Sequence, residues 1–281
     1  MFIYPDPKAE AGGWLIEVDS EEAERLAKHI RRYKLRAKFE VRVVGQEEMG
    51  VWSLWEGEEG PWTQHSLGEA GGERKLRGEE VGCGDKRAPG MGRRLLLPWG
   101  KKPEMDMEET TEDVYRVRRY LKGVPEGQKE LIREAALPQE SNVDFMGGVD
   151  YRKGCYVGQE LTIRTHHTGV VRKRILPVML YEKDTPMPQS LEYLPESHFG
   201  VEGITEDTAS IGRFEKRGRS AGKWLTGVGN IGLGLCRLEI MTDIQAQGEG
   251  AGYKEGDEFT LNWDDKQMKI KAFVPPWHLT K

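Results

Sequence analysis

Cysteine is scarce in this chain of 281 residues. The three cysteines, Cys83, Cys155 and Cys236, are 72 and 81 residues apart, and no CxxC pair occurs. Structural zinc sites and disulfide frameworks need several closely spaced or paired cysteines. The sequence therefore argues against both kinds of site, and it favours a reducing compartment.

Long apolar runs and an excess of positive charge are also missing. No stretch approaches the roughly 20 apolar residues that cross a bilayer as a helix, so no membrane span is predicted. The net charge is −5, whereas nucleic-acid-binding domains are usually strongly basic, so no nucleic acid partner is predicted. Residues 1–20 match neither a signal peptide nor an Arg-rich transit peptide. We therefore expect any organelle-targeting segment to lie outside this sequence.

The N-terminal part mixes helix-like and strand-like patterns. A strand is predicted over residues 13–18, a helix follows, and a second strand is predicted over residues 39–44. Residues 56–92 are rich in Gly and Glu and have no periodicity, which predicts a flexible insertion. A second helix is predicted over about 112–122, with Gly123 as its stop.

After Gly169 the pattern changes. Strand-like segments over 170–180, 209–214, 231–240, 258–263 and 268–274 are separated by Pro, Gly, Asp and Asn. This spacing, with few helical patterns, is typical of a small β-barrel or sandwich. The sequence therefore predicts an α+β region over residues 1–169 and a C-terminal β-domain over residues 170–281.

Cys155 has the most informative surroundings. It lies in a polar, glycine-rich stretch, and a helix-forming run over residues 159–164 follows. If this run is a helix, Cys155 lies at or just before its N-terminus, where unpaired N–H groups and the helix dipole stabilise a thiolate. A thiolate attacks electrophiles or binds soft metals. The alternative is a buried structural thiol, although the polar neighbours favour a surface loop.

The residues around Cys155 leave several roles open. Lys153 could stabilise the thiolate or attract an anionic cluster, or it could be a solvated loop charge. Gln159 and Glu160 are expected to organise the loop by accepting hydrogen bonds from free N–H groups at the helix start.

Two charged groups follow the helix-forming run. His166 and His167 could bind a cluster, as imidazole does in Rieske centres, or they could be hydrogen-bonded structural groups. The basic run 172–174 could receive an acidic partner or an anion, or it could simply be solvated.

Residues 153–174 resemble the YgfZ family, relatives of the glycine-cleavage T-protein (GcvT) that act in iron–sulfur cluster maturation. The family signature, K-G-C-Y/F/T-x-G-Q-E, is matched by Lys153, Gly154, Cys155, Tyr156, Gly158, Gln159 and Glu160. The continuation to residue 174 is similar to the mitochondrial branch. Shorter matches at 2–5, 33–36, 85–87, 137–140, 229–234 and 273–277 extend the resemblance over most of the chain.

The resemblance implies an α+β fold: a T-protein (aminomethyltransferase)-like, folate-binding-type region followed by a C-terminal β-barrel. Family members carry a further α/β stretch before the position of residue 1, so we expect part of a folate-type pocket to lie outside this sequence. The resemblance also implies an assembly factor of the mitochondrial matrix, which matures [4Fe–4S] proteins together with an A-type iron–sulfur carrier.

One thiol cannot hold an iron–sulfur cluster, because such clusters need about four protein ligands. We therefore predict that Cys155 is a metal ligand of a [2Fe–2S] cluster shared with the carrier. The six other signature residues, Lys153, Gly154, Tyr156, Gly158, Gln159 and Glu160, are predicted to form the cofactor-binding surroundings, and no catalytic residue is assigned. Two alternatives remain open: a tetrahydrofolate-dependent aminomethyltransferase-like enzyme, and a thiol enzyme or redox sensor that uses Cys155 alone.

Overall fold

The structure, a computed structural model, describes residues 1–9, 12–55, 80–156, 158–215, 218–244 and 252–279. These residues form two compact units. The first unit contains the described residues within 1–55, 80–85 and 92–109. The second unit contains residues 86–91 and the described residues within 110–279. No helix in these described ranges is long and apolar enough to cross a membrane.

The described residues of the first unit form one α-helix preceded by a 3-10 turn (Ser20–Glu22), a hairpin and a three-stranded antiparallel sheet with the strand order β3–β5–β4. Its elements are β1 (Phe2–Asp6), β2 (Gly13–Glu17), α1 (Ala23–Tyr33), β3 (Met49–Leu54), β4 (Val81–Gly84) and β5 (Arg93–Pro98). The predicted first strand and first helix correspond to β2 and α1. Tyr4, Val81 and Leu96 form the buried core of this unit.

The strand predicted over residues 39–44 is wrong. This segment pairs with no strand in the described part of the chain, and side chains of α1 and its C-cap bind its carbonyls instead. Arg31 donates from Nη2 to the Val41 carbonyl over 2.9 Å, and Lys34 Nζ donates to the Phe39 carbonyl over 2.6 Å. The segment does alternate apolar and polar residues, but the carbonyls of Phe39 and Val41 accept hydrogen bonds from Lys34 and Arg31 and, among the described residues, not from a neighbouring strand.

The insertion predicted over about 56–92 is corrected at its C-terminal end. Residues 56–79 lie outside the described residues, whereas β4 belongs to the sheet. Val81 is buried, and Gly82 lies so close to β5 that a Cβ there would meet the Arg94 carbonyl oxygen at 2.3 Å. Burial of Val81 and the close approach of Gly82 to β5 thus fix β4 in the sheet. The composition of this segment alone predicted an irregular chain.

The second unit is a closed six-stranded antiparallel barrel with additional helices. The strand order is β10–β11–β6–β9–β8–β7. The elements are α2 (Glu112–Lys122), α3 (Gln159–His167), β6 (Lys173–Tyr181), β7 (Ser210–Arg213), β8 (Gly222–Val228), β9 (Ile231–Arg237), α4 (Leu238–Met241), β10 (Phe259–Trp263) and β11 (Lys266–Ala272). The predicted α+β class with a C-terminal β-barrel is confirmed, and the sandwich alternative is not adopted.

Helix α2 packs on the barrel. Gly123 has a φ of 71° and ends the helix in the left-handed conformation, as its position predicts. Val117 and Leu121 share a buried cluster with Ile175 and Leu233 of the barrel. Residues 110–169 therefore group with the barrel in one compact unit, whereas the sequence placed them in the region 1–169.

Candidate functional site

Cys155 lies in an exposed loop that leads into α3. The predicted helix is confirmed as Gln159–His167, four residues after the cysteine. Gly158 turns the chain onto the helix with a φ of 86°, a conformation that glycine adopts without strain. The Cys155 side chain is exposed, as expected for a surface thiol. In the described part of the chain it makes no hydrogen bond to the helix N–H groups, because residues 156–158 intervene.

Gln159 fixes the end of this loop. Its Oε1 atom accepts a hydrogen bond from the Tyr156 N–H over 3.2 Å, and its own N–H donates to the Tyr156 carbonyl over 3.2 Å. This reciprocal pair resembles a capping box. Gln159 thus organises the loop, but the N–H group that it binds belongs to Tyr156 in the loop and not to the helix start. Lys153 also belongs to the loop, because its Nζ atom lies 4.4 Å from the centroid of the Tyr156 ring in a cation–π contact. Glu160 is exposed in the first turn of α3.

The start of the loop is attached to the other end of α3. The rings of Tyr151 and His166 stack with their centroids 3.6 Å apart and their planes inclined by 12°. His167 contacts His166 edge-on at 4.8 Å. The Tyr151–His166 stack gives His166 a structural role. Among the described residues, no group of three or more His, Cys, Asp or Glu side chains is arranged to hold a metal ion.

Gln139 connects α3 to the rest of the unit. It is buried, and its Nε2 atom donates to the Thr162 carbonyl of α3 over 2.7 Å. Burial and then the Asp144 charge raise the pKa of Tyr151. Through its bond to the Thr162 carbonyl, Gln139 links α3 to the irregular segment 137–142.

Arg174 anchors the segment that carries Gln139. Its guanidinium pairs with both carboxylate oxygens of Asp144 over 2.9 Å and donates to the Gln139 carbonyl over 2.6 Å. It also lies 3.7 Å from the centroid of the Phe145 ring. Arg174 is buried and therefore serves an internal ion pair rather than a solvated patch. Lys173 pairs with Glu140 at 3.3 Å, with its side chain about one-third exposed.

The sequence did not single out Gln139 or Tyr151 as site residues, and it marked Arg174 only as a member of the basic run 172–174. A weak signal existed for Gln139, which lies in one of the short segments that carry the family resemblance. No periodic pattern marks it, because residues 137–142 are irregular. The three residues lie 12 to 35 positions apart, so no local pattern in the sequence links them.

The other two thiols are less accessible. Cys236 is fully buried in the barrel core, and burial raises the pKa of its thiol. Cys83 lies half-buried in β4 rather than in a flexible loop, and burial followed by the Asp85 charge raises its pKa. Neither thiol has the exposure of Cys155.

The first unit contains a cavity of about 410 Å³. Leu15, Met49 and Val81 contribute apolar lining, and Lys8 and Lys101 contribute positive charge. This volume lies within the range of small-molecule sites. The four cationic side chains of the lining are matched by the carboxylates of Asp6, Glu48, Glu80 and Glu104, so the lining does not select an anionic ligand, and tetrahydrofolate stays a prediction.

Comparison with known proteins identifies the barrel. Residues 172–279 match the family model described as "CAF17, C-terminal beta-barrel domain". This range covers every strand of the barrel, β6 to β11, and agrees with the closed sheet of the structure.

Several fungal relatives are similar over almost the whole chain, and each is named iron–sulfur cluster assembly factor IBA57 homolog, mitochondrial. The relative from Pyricularia oryzae is 50% identical over 289 residues, which cover 99% of this chain and 71% of the relative. The relative from Chaetomium globosum is 47% identical over 305 residues, with coverages of 99% and 68%. The relative from Neurospora crassa is 44% identical over 308 residues, with coverages of 99% and 69%.

These matches confirm the resemblance that the signature around Cys155 indicated. The relatives carry the name of an assembly factor rather than of a folate-dependent transferase, so they support the main hypothesis and not the aminomethyltransferase alternative. The chain belongs to the IBA57 family of mitochondrial iron–sulfur cluster assembly factors.

Proposed function

We propose that this assembly factor supplies Cys155 as one ligand of a [2Fe–2S] cluster that it shares with an A-type carrier protein in the mitochondrial matrix. The cluster is the cargo, and it is passed on toward [4Fe–4S] apo-enzymes. One observation carries the proposal: Cys155 is an exposed thiol on a loop that is attached to α3 at both ends, through Gln159 and through Tyr151. An accessible sulfur in a restrained loop suits a ligand that a partner must reach.

The ligand count favours a shared cluster. A [2Fe–2S] cluster needs about four protein ligands, and Cys236 is buried in the barrel. The described residues offer no group of three or more potential metal ligands. The remaining ligands would therefore come from the carrier, so the cluster forms at the interface of the two proteins.

The other signature residues support the approach of a partner. A Cβ atom at Gly154 or at Gly158 would meet no other atom within 4 Å, so the backbone on both sides of Cys155 is uncovered. Lys153 places a positive charge in the loop, which favours an anionic cluster. Tyr156 and Gln159 hold the loop, and Glu160 faces outward. In this arrangement the protein acts by binding and releasing a cluster, with no catalytic residue.

The test is anaerobic reconstitution of the full chain with iron, sulfide and an A-type carrier, followed by gel filtration and absorption spectroscopy. The wild type is expected to give a coloured heterocomplex, and Cys155→Ser is expected to give none while retaining its circular dichroism spectrum. Cys83→Ser is the matched control and should behave like the wild type. A Cys155→Ser complex with full iron content would show that another group is the ligand.

A further inference from the structure

A strongly basic segment lies in the first unit, far in sequence from Cys155. Residues 25–39 contain seven Lys or Arg and no Asp or Glu, in a chain whose net charge is −5. We call residues 28–39 the basic turn.

Four cations of the basic turn are exposed, namely Lys28, Arg32, Arg36 and Lys38. None of these four cations lies within ion-pair distance of a carboxylate in the described residues, whereas Arg25, just outside the turn, pairs with Glu22.

Hydrogen bonds within the basic turn hold its backbone in one conformation. Helix α1 ends at Tyr33, and the Ala37 N–H donates to the Lys34 carbonyl over 2.8 Å to close a tight reversal. The hydrogen bonds of Arg31 and Lys34 to carbonyls of the returning chain hold the two limbs together. The turn is therefore a defined projection that displays its remaining cations.

An aliphatic side chain stands at the tip of this projection. Leu35 is 84% exposed and has a φ of 48°, a left-handed conformation that disfavours any residue except Gly, Asn or Asp. Tyr33 and Phe39 flank the tip and are 61% and 45% exposed. Neither packing nor backbone preference within this chain explains a leucine here, and such an outlier points to a functional use.

A stabilising effect on α1 explains only some of the positive charges in the basic turn. Arg31 and Arg32 lie in its last turn, where cations interact favourably with the helix dipole. Arg36 and Lys38 lie beyond the helix end, where this effect has faded. Their concentration beside an exposed apolar tip requires another explanation.

We propose that the basic turn docks the protein on the surface of an anionic phospholipid bilayer. The cations would contact lipid phosphates, and Leu35 would enter the boundary between head groups and acyl chains. Tyr33 and Phe39 would lie at the level where aromatic rings concentrate in membrane proteins. A cluster of basic residues beside apolar side chains is the pattern that anionic membranes attract.

Two other polyanionic partners, a single-stranded nucleic acid and an acidic protein, fit the basic turn less well. Single-stranded nucleic acids bind through aromatic faces on which bases stack, but Arg32 already lies over the Tyr33 ring at 5.7 Å and Lys34 over the Phe39 ring at 5.4 Å. An acidic protein would need a pocket for Leu35, whereas a bilayer accepts a single aliphatic side chain without shape complementarity. The proposal does not depend on Cys155 or on a cluster.

The test is flotation of the full chain with vesicles of phosphatidylcholine, with and without phosphatidylglycerol. Binding is expected only to the anionic vesicles, and it should fall as salt is raised. The variant R32E/R36E/K38E should lose at least about tenfold in vesicle affinity. Leu35→Asn keeps a residue that tolerates the left-handed conformation and should weaken binding at every salt concentration. Cys155→Ser should float like the wild type.

The matched control is K129E/R219E/K254E, which makes the same change of charge at exposed positions of the second unit. It should retain binding. If the reversal variant loses its circular dichroism spectrum, R32Q/R36Q/K38Q replaces it. Equal flotation with neutral vesicles, no flotation at low salt, an equal loss in the control, or tighter binding to a single-stranded RNA or a polyglutamate peptide would each overturn the proposal.

Discussion

The ring of His166 stacks on the ring of Tyr151, with a centroid separation of 3.6 Å. This contact joins the start of the Cys155 loop to the end of α3, while the pair formed by Gln159 and Tyr156 joins the other end. The loop is thus closed at both ends, and the position of the thiol depends on aromatic contact as well as on backbone hydrogen bonds.

Tyr151→Ala should loosen the Cys155 loop. Aromatic pairs contribute about 0.5–1.5 kcal/mol beyond their buried area, so we expect hydrogen exchange of residues 152–156 to become faster while the barrel is unaffected. Tyr151→Phe retains the stack and should stay close to the wild type. Hydrogen exchange followed by mass spectrometry measures this difference, and unchanged exchange in Tyr151→Ala would show that the stack does not restrain the loop.

Gln139→Ala should destabilise the second unit. It removes the amide that donates to the buried Thr162 carbonyl, and an intramolecular hydrogen bond contributes about 0.5–1.5 kcal/mol to stability. Urea denaturation measures the free energy of unfolding. Gln189→Ala removes an exposed glutamine and should change it little. If both variants have the same stability, Gln139 does not have the role assigned to it.

Asp144→Ala should be strongly destabilising, because it leaves the buried Arg174 guanidinium without its carboxylate. Breaking a buried pair by removal of one partner typically costs about 3–5 kcal/mol. Glu206→Ala breaks the exposed pair with Lys223 and should have little effect. Thermal unfolding of the two variants gives the comparison. Similar melting temperatures would mean that water reaches Arg174.

The three thiols should react with iodoacetamide in a fixed order. Cys155 is exposed and should be alkylated first, Cys83 second and Cys236 last. Burial raises the pKa of both slower thiols, so less thiolate is available to them at neutral pH and their rates should rise steeply in alkali. Peptide mass spectrometry of timed samples gives the order. Early modification of Cys236 would indicate that the barrel opens readily.

Stability should fall at alkaline pH. Burial raises the pKa of the Cys236 thiol above its ordinary value of 9.0, and burial followed by the Glu258 charge raises the pKa of Tyr181 from 10.0 to about 12. The unfolded chain releases these protons first, so the folded state loses stability as the pH rises above about 9. Urea denaturation across this range measures the slope.

Tyr181→Phe provides the matched variant. The Tyr181 hydroxyl is buried and has no hydrogen-bond partner among the described residues, so its removal should stabilise the fold by about 1 kcal/mol. It should also make the loss of stability in alkali smaller. A destabilised variant with an unchanged slope would contradict both expectations.

Local patterns predicted much of this structure. The Gly123 stop, the helix after Cys155 and five of the six barrel strands each depend on neighbours in sequence, and each was found. Strand β8 (Gly222–Val228) was not predicted. The strand predicted over 39–44 failed because Arg31 and Lys34 compete for its carbonyls. Whether these side chains reach the segment depends on where α1 ends, and the alternation of apolar and polar residues in 39–44 does not reveal this.

The site could be predicted only in part for a related reason. The signature marked Cys155 and its immediate neighbours, but the side chains that brace the loop come from three separate segments. Gln139 donates to a carbonyl 23 positions away, and Arg174 reaches Asp144 across 30 positions. The basic run 172–174 therefore looked like a surface feature, although its last member is buried among aromatic and acid partners.

Closure of the barrel restricts how the second unit can recognise other proteins. All six strands have neighbours on both sides, and the pairing is short only where β7 meets β8 and β10, over two residues each. The barrel therefore offers little free edge to which an incoming chain could add a strand, which favours recognition through side chains of loops and helices such as the Cys155 loop. A partner that binds at this loop, as proposed above, would leave the ladder hydrogen bonds of the barrel in place.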